Sequence, residues 1–131
     1  MSYVNSGLKY NAPPKDSSNV HRVNVSGRAT LPSFVDWRAK LNIPIRDQAS
    51  CGSCWAFSAV FEVESFNILN NGKSTDLSEQ NLVDCVYTRD GCQGGWMGTA
   101  YNYIINNNGI NTETAYGYTS GSTKTVYFFV N

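Results

Sequence analysis

From Ser53 to about Asn70 the chain carries Trp55, Phe57, Val60, Phe61, Val63, Phe66 and Ile68, and it then reaches Asn71-Gly72, a pair suited to ending a helix in a left-handed cap. The pattern predicts a helix apolar on most sides, and such a helix has to be buried in a larger body. With 131 residues in all, that body is one domain around one core. Hydrophobic residues at 41% and aromatic residues at 13% are enough to build it and set the chain apart from disordered sequences. Ten basic and ten acidic residues cancel, so no long-range field is available to hold nucleic acid or an anionic membrane. The longest apolar run, Val126 to Val130, is far below the roughly 20 residues that span a bilayer, so no membrane anchor is expected. Met1 to Tyr10 lacks the apolar stretch of a secretory signal.

Around the central helix the chain divides into three parts. Residues 1–30 are rich in Asn, Ser, Pro and Lys, with Pro13-Pro14 and no apolar period, and read as an extended leader. Asn24-Val25-Ser26 within it is a glycosylation sequon, meaningful only in a secreted chain. The folded part is expected at 31–118, where Phe34, Val35 and Trp37 arrive together. A second, short helix should follow Asp76-Leu77-Ser78-Glu79, with Asp76 or Ser78 as its cap and Leu82 and Val83 turned inward, and reach Cys85. A third should begin after Gly94-Gly95, carry Met97, Tyr101, Ile104 and Ile105 at helical spacings, and stop at Asn108-Gly109. Residues 119–131 turn to Ser, Gly and Thr and then to the strand-prone Val126 to Val130 run, a divergent tail that looks cut off.

The chemistry concentrates in Gln48-Ala49-Ser50-Cys51-Gly52-Ser53-Cys54-Trp55-Ala56-Phe57-Ser58. Cys54 lies where an extended segment enters the buried helix, so that free amides and the positive helix end face its sulfur, the surroundings of a nucleophilic cysteine. A Cys-x-x-Cys pair also occurs in redox dithiols and as half of a zinc site. A redox pair would follow a strand in a βαβ unit, and zinc would want a second close pair, whereas Cys85 and Cys92 are seven apart. Four cysteines allow three complete pairings, and a thiol kept free for chemistry leaves an odd number for bridges.

This stretch resembles the papain and cathepsin cysteine peptidases. The resemblance extends through Leu31-Pro32, Asp36-Trp37-Arg38, Leu77 to Cys85 and Gly91-Cys92-Gln93-Gly94-Gly95 to about Tyr116-Gly117-Tyr118. It covers about ninety residues, the first half of that family's catalytic domain. It implies an α+β papain-like fold of which the chain holds mainly the helical lobe, about three helices, without the β-rich second lobe, preceded by the tail of a propeptide. It implies peptide-bond hydrolysis through an acyl-enzyme on Cys54, with the Gln48 side chain and the Cys54 backbone N–H donating to the oxyanion. Gly94 and Gly95 match the substrate wall, where Gly95 would bond an extended peptide. Trp96 and Met97 match one side of a substrate pocket, although as residues alone they read as the first apolar residues of a core helix, for Met97 about equally. A disulfide between Cys51 and Cys92 is implied as well, leaving Cys85 unpaired. Peptide or protein substrates are the expected partners, together with a peptidase inhibitor or the complementary second lobe, and neither a metal nor an organic cofactor is implied.

An imidazole is needed to activate the thiol and protonate the leaving amine. The only histidine is His21, in the leader. The family's histidine and asparagine follow the cysteine by about 130–150 residues, beyond the last residue here. Tyr116-Gly117-Tyr118 carries Gly where the family usually has Pro, and the next family cysteine does not arrive. Those departures suggest a truncated or frame-shifted reading of a longer gene, inactive alone. The family is lysosomal or extracellular, and this sequence by itself indicates no compartment.

Overall fold

The computed structural model describes residues 32–86 and 91–123. Leu31 and the leader with His21 and the Asn24 sequon, as well as the Val126 to Val130 run, lie outside the described residues. The elements are α1 (Arg38–Leu41), α2 (Cys54–Asn71), α3 (Glu79–Cys85), a single 3-10 turn (Gly91–Gln93), α4 (Met97–Asn106) and α5 (Ser120–Thr123). α2 is the central element and packs against α1, α3 and α4.

α2 runs where its pattern places it. Ser53 precedes it, and Gly72 closes it at φ 65° with its N–H donated to the Ile68 carbonyl. Its buried apolar face is Trp55, Ala56, Ala59 and Val60, a cluster completed by Leu82, Val83, Val86 and Ala100. The helix is thus buried along one face and not on most sides as its pattern suggests: Phe61, Phe66 and Leu69 are 48%, 67% and 48% exposed. These three side chains lie towards solvent on the outer side of the helix.

α3 is capped by Ser78, whose Oγ accepts the Asn81 N–H at 3.0 Å. Asp76, the other candidate cap, is drawn instead to Arg46. Leu82 and Val83 point inward, as their pattern predicts. α4 ends at Asn106, followed by a turn in which Asn108 and Gly109 take positive φ. Met97, Tyr101 and Ile104 pack on the core, whereas Ile105 is 70% exposed. Adjacent helical residues are separated by about 100°, so Ile104 and Ile105 cannot both face inward.

Two ties assemble these helices around the segment that leads into α2. The half-buried Arg46 guanidinium donates to Glu64 of α2 at 2.9 Å and to Glu79 of α3 at 2.7 Å, and it also pairs with Asp76. Glu64 further accepts the Leu77 N–H at 2.7 Å. Leu77 also forms an antiparallel bridge with Thr112, flanked by Ser78 N–H to Asn111 O at 3.0 Å and Glu113 N–H to Asp76 O at 2.9 Å. This short pairing brings residues 111–118 back against α3 and towards the start of α2.

Candidate active site

The segment before α2 is a tight turn whose ends are pinned. The Cys51 N–H reaches the Gln48 carbonyl at 3.4 Å, Ala49 sits at φ 50°, and its N–H is taken by Asp47 Oδ1 at 2.7 Å. Inside the turn the Gln48 side chain donates from Nε2 to the Cys51 carbonyl at 2.8 Å. One amide proton therefore anchors the side chain to the turn, and the amide carries a second N–H. Sequence reasoning singled out this glutamine but not its anchor.

Cys54 is the first residue of α2, a free, half-buried thiol. Ser53 occupies the cap position but makes no side-chain cap bond. The first-turn amides are thus not covered by the residue type that usually covers them, and the positive end of an 18-residue helix lies at the sulfur-bearing residue.

The glycine segment stands beside this turn for covalent and steric reasons. Cys51 and Cys92 form a disulfide with Cα atoms 4.6 Å apart, and the Gly52 N–H donates to the Cys92 carbonyl at 2.8 Å. The bridge closes a loop of 41 residues, which in unstrained form adds about 2–4 kcal/mol. Trp55, buried in the first turn of α2, donates from Nε1 to Gly91 O at 3.0 Å. A Cβ on Gly95 would stand 2.5 Å from the Trp55 ring, so this position excludes larger residues on internal grounds. Gly94 has φ 103°, a backbone conformation that L side chains rarely adopt. Trp96 is extended, half-buried, and immediately precedes α4. Met97 is half-buried and packs on the core.

Cys85, at the end of α3, forms no disulfide among the described residues. Its sulfur accepts from Asn81 Nδ2 at 3.3 Å and faces Tyr103, whose hydroxyl is pushed up by burial first and by Cys85 second. It lies on the opposite end of α3 from Ser78 and takes no part in the Cys54 cluster. Among the described residues, no three His, Cys, Asp or Glu side chains converge as metal ligands.

One contributor escaped sequence reasoning. The Tyr118 hydroxyl lies 2.7 Å from Ser53 Oγ and donates to the Gln48 carbonyl at 3.0 Å. Tyr118 belongs to a recognisable segment, but nothing local to it indicates partners 65 and 70 residues earlier.

Comparison with known proteins locates the whole cluster in a sequence family. The profile described as papain family cysteine protease matches residues 31–128. The chain is 49% identical over 89 residues to zingipain-2 of Zingiber officinale, covering 67% of this chain and 40% of that protein. It is 54% identical over 91 residues to digestive cysteine proteinase 3 of Homarus americanus, covering 67% and 28%. The crystal structure of the ragweed pollen allergen Amb a 11 cysteine protease in its proform aligns with a TM-score of 0.65 at 45% identity, over 71% of this chain and 29% of that one. The chain thus spans well under half the length of the relatives it matches.

Proposed function

The chain belongs to the papain family of cysteine proteases, with the helical lobe of that fold in its described residues, and on that premise we propose that Cys54 is the acylated nucleophile of a peptide-bond hydrolase. The observation that carries the reading is one cluster: a free thiol opening α2, a Gln48 amide anchored in the turn that leads into that helix, and a glycine wall bridged to the same turn through Cys51 and Cys92. In this reading the Cys54 sulfur attacks the scissile carbonyl. The second Gln48 N–H and the Cys54 N–H donate to the oxygen that becomes charged. Collapse expels the amine and leaves a thioester, which water hydrolyses to return the thiol. Gly95 aligns the substrate backbone as an added strand does, with Gly94 shaping its approach. Trp96 and Met97 supply one side of a substrate pocket. The substrates are peptides or proteins.

The departing amine must receive a proton from a positioned acid. Within the 131 residues the only imidazole is His21, and the proposal assigns the proton to a complementary lobe, not to His21. The 131-residue chain alone is therefore an incomplete catalyst. Its fallback role is that of a binding lobe for a peptidase inhibitor or for the second lobe, or of a product without function.

The test is turnover of a fluorogenic peptide by the purified chain, alone and with a separately expressed second lobe, with Cys54→Ala as control. The expected result is no turnover alone and turnover on mixing that the control abolishes. Docking of the second lobe without any turnover would leave only the binding role. Turnover that persists in the control would reject Cys54 as the nucleophile.

A further inference from the structure

We infer that Tyr118 is a positioning residue for the Cys54 site, its hydroxyl holding the Gln48 turn and the start of α2 in one fixed relation. The inference rests on the reading of Cys54 and Gln48 given above. The phenol carries a single proton, and that proton goes to the Gln48 carbonyl at 3.0 Å. The short contact with Ser53 Oγ, 2.7 Å, must then be the serine donating to the phenol oxygen. The result is a directed relay, Ser53 to Tyr118 to Gln48. It joins the residue immediately before the nucleophile to the backbone of the residue whose side chain serves the oxyanion.

Three features show that this relay is built and not incidental. Ser53 is fully buried and stands at the start of a long helix, where a serine hydroxyl ordinarily caps the first-turn amides. Here it makes no cap bond and donates to the phenol instead. Tyr118 is itself immobilised. Its ring stands edge-on to Phe57 at 5.0 Å, and its backbone N–H donates to Glu113 Oε1 at 2.8 Å. Finally, the Gln48 carbonyl is the acceptor that closes the 48–51 turn, so the relay ends on the atom that sets where the Gln48 side chain starts.

Catalysis needs the thiol and the oxyanion donors placed together to a fraction of an ångström, and a turn with a left-handed Ala49 does not secure that placement by itself. Tyr118 acts only through Gln48 and Ser53.

The experiment adds a peptide aldehyde labelled with carbon-13 at the carbonyl to the chain, alone and mixed with the second lobe. Addition of the Cys54 thiol gives a hemithioacetal whose oxygen occupies the oxyanion position, and its NMR resonance reports occupancy. Tyr118→Phe keeps the ring on Phe57 and removes only the relay, and it should weaken aldehyde affinity by about two- to tenfold, the scale of one neutral hydrogen bond. Ser53→Ala should do the same, and the double variant should lose no more than either one, because both cut one relay. Iodoacetamide labelling of Cys85, read on the same samples, should stay at the wild-type rate. Equal affinity of Tyr118→Phe and wild type would overturn the role of Tyr118, as would fully additive losses or a Cys85 rate that changes in step. Absence of any hemithioacetal in the wild-type chain even when mixed with the second lobe, with Cys54→Ala indistinguishable from it, would instead remove the nucleophile reading on which the inference stands.

Discussion

α3 and α2 bury their surfaces by opposite means. α3 is largely polar, yet Glu79, Gln80, Asn81 and Asp84 are all buried beside Leu82 and Val83. α2 is far richer in large apolar residues, yet Phe66 and Leu69 are open to solvent. The difference lies in what surrounds each helix. α3 is enclosed by Arg46, the 111–113 segment and the 116–120 segment, and each buried polar group meets a partner there. Gln80 alone accepts the Thr119 and Ser120 N–H groups at 2.9 Å each and donates to Asp84 at 2.9 Å and to Ser120 Oγ at 2.8 Å. Burial thus follows coverage and hydrogen-bond satisfaction, and apolar character alone does not secure it.

The strongest test of that contrast sets Leu82→Ala against Phe66→Ala. Leu82 is wholly buried at the junction of α2 and α3, so its truncation should cost about 2–5 kcal/mol by urea denaturation. Phe66 is 67% exposed, and its truncation should fall within about 0.5 kcal/mol of wild type. A large loss at Phe66 would mean that the outer face of α2 is covered in solution. Gln80→Leu comes next in size. It keeps the volume but removes a four-bond hub, and should cost about 1–3 kcal/mol in the same assay. A gain in stability would show instead that α3 is buried by shape and that its polar groups are dispensable.

How far the sequence reveals these features depends on the range of the interaction. α2 and its end at Asn71-Gly72 are set by neighbours within a few residues and were legible, and the cap of α3 was legible as a choice between Asp76 and Ser78. The side of α2 left bare was not, because Phe61 and Phe66 fit the helical pattern as well as Val60 does. The pattern carries no record of which face the remaining chain covers. α1 spans only one turn and has no periodicity to read. In the site, Cys54, Gln48 and the glycine segment stood out through local motifs. The anchor of Gln48 on Cys51 and the relay from Ser53 through Tyr118 did not, since each depends on the folded placement of groups whose sequence spacing has no signature. Gly95 shows a third case. Its lack of a side chain was legible, but the neighbour that requires it, Trp55, lies 40 residues earlier and becomes evident only in the structure.

The smallest expected effect concerns protons and the polar surroundings of α3. Glu79, Glu64, Asp76 and Glu113 gather around the single guanidinium of Arg46, and the Glu113 carboxylate accepts the Tyr118 backbone N–H. Burial is the largest cause that raises the Glu113 carboxyl. The neighbouring Asp76 and Glu64 charges add to it, while the Tyr118 N–H and Arg46 oppose it. Its Oε2 is buried without a hydrogen-bond partner. Glu79 is likewise raised, by burial first, against the pull of its own backbone bond and of Arg46. Between the ordinary glutamate value of 4.5 and the raised native value, the folded chain holds protons that the unfolded chain has lost. Stability should therefore fall as pH rises through that window and recover on mild acidification. Glu113→Gln, neutral at every pH, should flatten this slope. Solvent screening of a half-buried carboxyl keeps the change below about 1 kcal/mol. Urea midpoints of both chains at several pH values, from neutral down to the ordinary carboxylate range, provide the measurement. A wild-type midpoint that rises with pH across the window, or a Glu113→Gln slope equal to that of wild type, would show that Arg46 satisfies all four carboxylates and that the polar surroundings of α3 carry no excess charge.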